Sequence, residues 1–340
     1  RFNFIISGIF LIVLLFLGVL TMFMAGLSAS YEFDLKKIVA LSTLSQLGLM
    51  LGIMVLGDFN LAFFHLLTHA LFKSSLFMCV GYMIHNLSGC QDIRFMGGLI
   101  DFMPLICCYF VICNFALCGL PFLAGFYSKD LILDVMSMNY FNFYIYLVFY
   151  LSIGLTVFYS VRLVYYVLIG GYNFQGISFI MNSSESMSYS LVSLAFLVVV
   201  GGGTLFWLMF STPYVIILPL FIKLMVIMFI FMGVWVGLEF SKFKIIYNLK
   251  SMSSMYLSVF FSSLWNLSVL STFSVNYYSI GLGSIYYKFL DNGWSEYFGV
   301  QNIYLSLVNI SGLFQFILSN SIKIYLSFLV FWLLMVLLFF

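Results

Sequence analysis

The chain has 340 residues, of which 64% are hydrophobic and only 7% charged, with a formal net charge of +2. A soluble domain carries roughly 25% charged residues, so an aqueous globular fold is excluded, and so small and dispersed a positive charge argues against a nucleic-acid partner. The apolar runs exceed the ~18–20 residues of a helical crossing and lack strand-like alternation, so the expected fold is an all-α polytopic transmembrane helix bundle.

In chain order, a first span is predicted from about Phe2 to Ala29, ending at the charged turn Glu32–Lys37. A second runs from about Lys37 to Leu56 and stops at Gly57-Asp58. A third, from about Asn60 to His85, is closed by the polar stretch Asn86 to Arg94. Asp101 opens a fourth, which breaks at Gly119-Leu120-Pro121 and resumes near Ser128 to about Met136. Further spans are predicted at Phe141–Ile169, Tyr189–Phe210 and Ile216–Phe240, and a terminal one at Ile324–Phe340.

The stretch from about Ser241 to Lys323 is rich in Ser, Asn, Tyr, Gly and Trp and is mostly too polar for a clean crossing. From about Tyr286 it reads as an amphipathic helix lying along the membrane plane, with Trp294, Tyr297, Phe298 and Tyr304 beside Lys288, Asp291 and Glu296. One further, weakly hydrophobic span within Tyr256–Thr272 stays open. The six cysteines (Cys79, Cys90, Cys107, Cys108, Cys113, Cys118) form no C-x-x-C pair and read as buried thiols rather than disulfides or metal ligands.

Chemistry concentrates in the third span. His65, His69 and Lys73 recur at i, i+4, i+8 and share one helix face, stepping about 6 Å at a time. An ionisable group at mid-membrane costs roughly 3 kcal/mol unless it faces protein or water. One buried histidine is readily explained by a hydrogen bond to a neighbouring helix; three ionisable groups on one stripe are not. Imidazole exchanges protons near neutrality, so the stripe suits proton transfer through intervening waters. A metal at His65 and His69 is not expected, because no third ligand lies nearby.

The second centre is the break Gly119-Leu-Pro-Phe-Leu-Ala-Gly-Phe-Tyr-Ser-Lys-Asp130. Pro121 removes a backbone donor, and Gly119 and Gly125 permit a non-helical path. Ser128 is expected to cap the resumed helix, with Asp130 and Asp134 suited to its positive end. Lys129 does not suit that end, and a lysine kept there points to transport. Lys36 and Lys37 open the second span, as interfacial anchors or with a role for one of them. Arg162 lies inside the fifth segment, where it pairs with Asp134, lines water or snorkels. Lys223, just after Pro219, reads as buried, His85 as interfacial, and Asp92 with Arg94 as loop charge.

Four pieces of sequence together resemble the antiporter-like membrane subunits of respiratory complex I. They are Asp34-Leu-Lys-Lys-Ile-Val-Ala-Leu-Ser-Thr-Leu-Ser-Gln-Leu-Gly-Leu-Met50, the His65/His69/Lys73 stripe, Met96-Gly-Gly-Leu99, and Gly119 through Asp130. The wording Gly-Phe-Tyr-Ser-Lys-Asp and the long C-terminal extension resemble the chain-5 branch over the chain-2 and chain-4 branches. Residue usage heavy in Phe, Leu, Ile, Met, Tyr and Ser fits an AT-rich, mitochondrial-type coding sequence.

The resemblance implies two inverted five-helix repeats, a lateral helix and a last span. On that reading residues 1–170 are the second repeat, 171–240 additional transmembrane helices, 241–323 an interfacial segment with the lateral helix, and 324–340 the terminal helix. The first repeat is absent, and the start at Arg1 reads as truncation. The implied function is proton translocation in NADH:ubiquinone oxidoreductase, in the mitochondrial inner membrane beside chain-4-type and chain-2-type subunits and lipid. The implied path uses His65, His69, Lys73, Lys129, Asp130 and Lys36, with Arg162, Asp134 and Lys223 as support. No cofactor is expected on this chain; NAD, FMN, iron–sulfur clusters and ubiquinone belong to partner subunits. A stand-alone cation/proton antiporter and a non-transporting scaffold are the alternatives.

Overall fold

The computed structural model describes residues 8–138, 143–174, 176, 185–212, 215–242, 255–319 and 321–339. They are overwhelmingly helical, with no β-strand among them beyond an isolated bridge between Asp34 and Asp92. The fold is an all-α polytopic membrane bundle. Its contacts separate two units, Arg1–Asn266 and Leu267–Phe340.

The first unit begins with α1 (Gly8–Tyr31), α2 (Leu35–Val55) and α3 (Phe59–Asn86), each long and apolar enough to cross a bilayer. A short turn, α4 (Leu99–Phe102), precedes α5 (Pro104–Cys118) and α6 (Ala124–Met138). Then come α7 (Phe143–Val164), extended by a π turn over Tyr165–Ile169, α8 (Glu185–Met209), α9 (Leu220–Lys242) and a short α10 (Met255–Ser262). The predicted start of the first span at Phe2 and of the fifth at Phe141 lies outside the described residues.

The helix pair α5–α6 is the broken element. Each half has 15 residues, about 22 Å, and falls short of the ~30 Å hydrocarbon thickness. Gly119 ends α5 with φ +86°, a left-handed conformation that glycine adopts without steric cost, and Leu120 N–H donates back to Phe115 O at 3.1 Å. The halves then touch backbone to backbone: a Cβ on Gly125 would lie 1.7 Å from Ala116 O. Helix resumes at Ala124, not Ser128, so Ser128 is an interior residue rather than a cap. Its hydroxyl reaches back toward Ala124 O and Gly125 O. Likewise Asp101 belongs to the separate turn α4, and the long part of the fourth segment starts at Pro104, where a missing N–H costs nothing.

The largest apolar cluster of the unit has Phe72, Met83, Phe110, Tyr159 and Val167 among its fully buried members. A second cluster joins Leu15, Val19 and Met22 of α1 to Leu49, Ile53, Ile132 and Phe149. Between these apolar clusters the interiors of α2, α3, α6 and α7 carry a set of buried polar side chains.

In the second unit, α11 is one helix of 52 residues, Leu267–Leu318, followed by α12 (Ile322–Phe339). At ~1.5 Å per residue α11 is roughly 78 Å long, more than twice the bilayer core, so it is no simple crossing. It begins well before Tyr286, where the sequence placed it. The weakly hydrophobic window Tyr256–Thr272 is not one span: Leu264, Trp265 and Asn266 all have φ between 53° and 58° and end the helical path after α10. The amphipathic patch around Trp294 falls on wide π turns, Tyr287–Ser295 and Tyr297–Gln301, with Trp294 stacked on Phe298 at 5.3 Å.

Candidate functional site

The three-residue stripe of α3 faces the interior of the first unit. His65 is buried, and both ring nitrogens are engaged by side chains of other helices. Nδ1 lies 2.9 Å from Ser128 Oγ on α6, and Nε2 lies 3.3 Å from Gln46 Oε1 on α2. Thr68, one turn along α3, donates to the same Ser128 oxygen at 3.0 Å. His69 follows with its ring centroid 6.2 Å from that of His65 and packed edge-on to Phe72. Its Nε2 is buried with no hydrogen-bond partner. Lys73 is buried as well, and its amine donates to Ser42 Oγ and, at 3.5 Å, to Val39 O, both on α2.

Lys129 is buried at the helix break. Its amine donates to Leu117 O at 3.3 Å and Cys118 O at 3.5 Å, the last carbonyls of α5, and to Thr156 Oγ1 of α7 at 2.9 Å. A helix resuming at Ser128 would set this lysine against its positive end. With α6 starting at Ala124, Lys129 sits beyond the first turn and reaches the negative end of α5 instead, where a cation is favourable. The break therefore builds the amine's site.

The other predicted residues are dispersed. Asp130 forms no ion pair with Lys129 within 4 Å, and its Oδ1 is buried without a hydrogen-bond partner. Asp134 is half-buried on α6 and lies within electrostatic reach of Lys223. Lys223 itself is exposed, against the buried position predicted for it, because little of the α9 surface is covered in this chain. Arg162 does not pair with Asp134. Its guanidinium donates to Ser30 O at the C-terminal end of α1 and lies over the rings of Phe33 and Tyr166, at 4.9 Å and 5.8 Å. Lys36 is exposed in the first turn of α2, and Lys37 pairs with Asp34 at 2.8 Å. His85 is exposed at the end of α3, and Arg94 pairs with Asp92 at 3.2 Å.

Sequence reasoning passed over the uncharged partners: Ser42, Ser45 and Gln46 on α2, Thr68 on α3, and Thr156 and Tyr159 on α7. The phenol of Tyr159 lies beside Ser45, Gln46 and Ser42. Their signal was available, since Ser42, Ser45 and Gln46 recur at three and four residues on one face of an otherwise apolar helix. Together these side chains make a polar belt: Lys73 meets Ser42, His65 meets Gln46 and Ser128, Ser42 and Gln46 share one face of α2, and Ser128 precedes Lys129 on α6. Such a belt can hold protons and water within an apolar bundle.

Two family profiles cover the chain. Residues 1–158 match "NADH:quinone oxidoreductase/Mrp antiporter, TM", and residues 159–340 match "NADH dehydrogenase subunit 5 C-terminus". NADH-ubiquinone oxidoreductase chain 5 of Anopheles gambiae is 49% identical over 319 residues, which is 94% of this chain and 55% of that one. The corresponding chain of Locusta migratoria is 46% identical, covering 94% and 56%, and that of Lumbricus terrestris is 37% identical, covering 85% and 50%. The chain thus spans about half the length of the curated relatives it matches. Among solved structures, a chain of the Mrp complex from Dietzia sp. DQ12-45-1b aligns with TM-score 0.63 at 20% identity, covering 89% of this chain and 34% of that one, a likeness of fold alone.

Proposed function

The chain belongs to the NADH dehydrogenase subunit 5 family, and from that premise we propose that it is a proton-translocating membrane-arm subunit of NADH:ubiquinone oxidoreductase. It works in the mitochondrial inner membrane, against chain-4-type and chain-2-type subunits and lipid. Electron transfer belongs to other subunits, which hold the NAD, FMN, iron–sulfur and ubiquinone chemistry. This chain's share is the proton path.

The observation that carries the reading is a set of buried polar contacts in one bundle: Lys73 meets Ser42, His65 meets Gln46 and Ser128, and Lys129 follows Ser128 in the chain. Buried amines and imidazoles need polar neighbours, and here the neighbours are hydroxyls and amides rather than carboxylates. A lysine held by neutral acceptors can lose its proton without leaving a carboxylate stranded in a low-dielectric site. His69, between His65 and Lys73, has a free ring nitrogen and serves as the intermediate stop. Lys129 and Asp130 form the outlet, and Lys36 connects the belt to one surface. Asp134, Lys223 and Arg162 support this path by charge and packing. Residues 1–170 act as one repeat of the translocating fold, 171–240 as flanking spans, and 241–323 with 324–340 as the lateral clamp and its anchor.

The test uses the assembled complex in sealed membrane vesicles carrying Lys73→Ala or Lys129→Ala. NADH-driven proton uptake should fall on the order of a hundredfold, as for loss of a proton-transferring group. Variants that assemble and pump at the parental rate would remove both lysines from the path. A second reading, a stand-alone cation/proton exchanger, draws support from the antiporter profile over residues 1–158. Recovery of the chain as a lone, active exchanger would favour it; co-purification with NADH-oxidising partners would favour the first.

A further inference from the structure

We propose that Gln46 and Ser128 are positioning residues for His65, which hold its neutral ring as the Nε2–H tautomer and so confine proton exchange to Nδ1, on the α6 side. The inference rests on the proton-path reading and assigns a direction within it. An amide oxygen only accepts hydrogen bonds, so the nitrogen facing Gln46 Oε1 at 3.3 Å must carry the hydrogen. The other nitrogen, 2.9 Å from Ser128 Oγ, is then a bare lone pair that receives the serine hydroxyl. Thr68 Oγ1 lies 3.0 Å from Ser128 Oγ and 3.1 Å from His65 O; when its one proton points to the serine it occupies a serine lone pair and steers the serine proton toward the ring.

The serine also has somewhere else to turn. Its oxygen lies 3.3 Å from Gly125 O and 3.5 Å from Ala124 O, both buried acceptors on its own helix. When Nδ1 gains a proton, the new N–H donates to Ser128 Oγ and the hydroxyl rotates to one of these carbonyls. One N–H bond forms on the imidazole, and the proton leaves an ammonium or a hydrated proton on the α6 side. Gln46 cannot pass a proton on, so the α2 side of the ring is a fixed anchor rather than an exit. The titratable groups facing His65 are His69 on its own helix and Lys129 on α6. From α2 the facing group is the neutral Gln46, and apolar rings, Phe206 of α8 and Phe210 just beyond it, surround Phe64.

The tautomer can be read directly from the 15N spectrum of histidine-labelled full-length protein in lipid bilayers, with His65→Gln assigning the resonance. A protonated Nε2 and bare Nδ1 are expected for His65, with mixed tautomers in Gln46→Leu. A parental Nδ1–H tautomer, or a Gln46→Leu spectrum unchanged from the parent, overturns the proposal. Proton uptake by the assembled complex supplies the second readout. Ser128→Ala should lower it on the order of tenfold while Ser128→Thr stays near the parental rate. Equal loss in both variants would mark Ser128 as packing alone and overturn its positioning role. Full pumping by His65→Gln would instead sink the proton-path reading, while the tautomer result would still stand.

Discussion

The intact helix α3 and the broken pair α5–α6 solve one problem in two ways. Each places a lysine amine inside an apolar bundle. On α3 the backbone is fully used by the helix, so Lys73 must borrow a hydroxyl and a side-on carbonyl from α2. At the break the chain supplies acceptors itself, because the last carbonyls of α5 have no helical donors and converge on Lys129. Arg162 repeats the second solution, donating to Ser30 O at the end of α1. A helix end holds an amine mainly through backbone carbonyls fixed by the fold, whereas the Lys73 site depends on a side-chain hydroxyl that can rotate.

The sharpest way to break this contrast is at Gly125. A Cβ there would sit 1.7 Å from Ala116 O, a backbone atom that cannot step aside without separating the two halves. Gly125→Val should abolish assembly of the chain, since overpacking of even a few methylenes costs about 1–3 kcal/mol and this clash is with backbone. The level of assembled complex in membranes checks it. Normal assembly would show that the halves need not touch and that the carbonyl site of Lys129 tolerates movement.

The next effect separates the two lysines. Lys129→Met leaves Leu117 O and Cys118 O without their donor, and a buried acceptor left unpaired costs about 1–3 kcal/mol. Lys73→Met leaves Ser42, whose hydroxyl already donates to Val39 O at 2.7 Å, so the loss should be well under that range. Thermal denaturation of the purified protein in detergent should therefore show a lower transition for Lys129→Met than for Lys73→Met. The opposite order would mean that the broken helix is satisfied without the amine.

Much of the bundle was legible because apolar run length and polar punctuation are local. The third span was predicted as Asn60–His85 and is Phe59–Asn86, bounded by Asp58 and the polar turn beyond. The break at Gly119 was equally plain, since glycine and proline announce it. The onset of α6 was not, because Ala124-Gly-Phe-Tyr offers no cap residue, and tertiary contact with α5 sets the boundary. The left-handed run Leu264–Asn266 was also hidden, as neither Leu nor Trp favours that conformation. At the candidate site the ionisable residues stood out by rarity. Their pairing did not: Gln46 and Ser128 lie 19 and 63 residues from His65, so a polar face on α2 is visible in the sequence but its meeting with His65 is set by the fold.

The smallest effect tests whether the arginine follows the helix-end rule alone. Phe33, in the turn between α1 and α2, lies between two guanidiniums, Arg94 at 4.3 Å and Arg162 at 4.9 Å from its ring centre. Its backbone is already fixed, since Ile93 N–H donates to Phe33 O at 3.0 Å. Phe33→Leu therefore removes the ring face while leaving the turn and the Arg162–Ser30 bond in place. Exposed cation–π contacts are worth about 0.5–1 kcal/mol each, so the variant should lose about 1 kcal/mol in thermal denaturation. Combining it with Arg162→Gln should cost less than the two separate losses together. If the losses simply add, the ring contributes nothing to holding Arg162, and the carbonyl at the end of α1 suffices for this cation as the end of α5 does for Lys129.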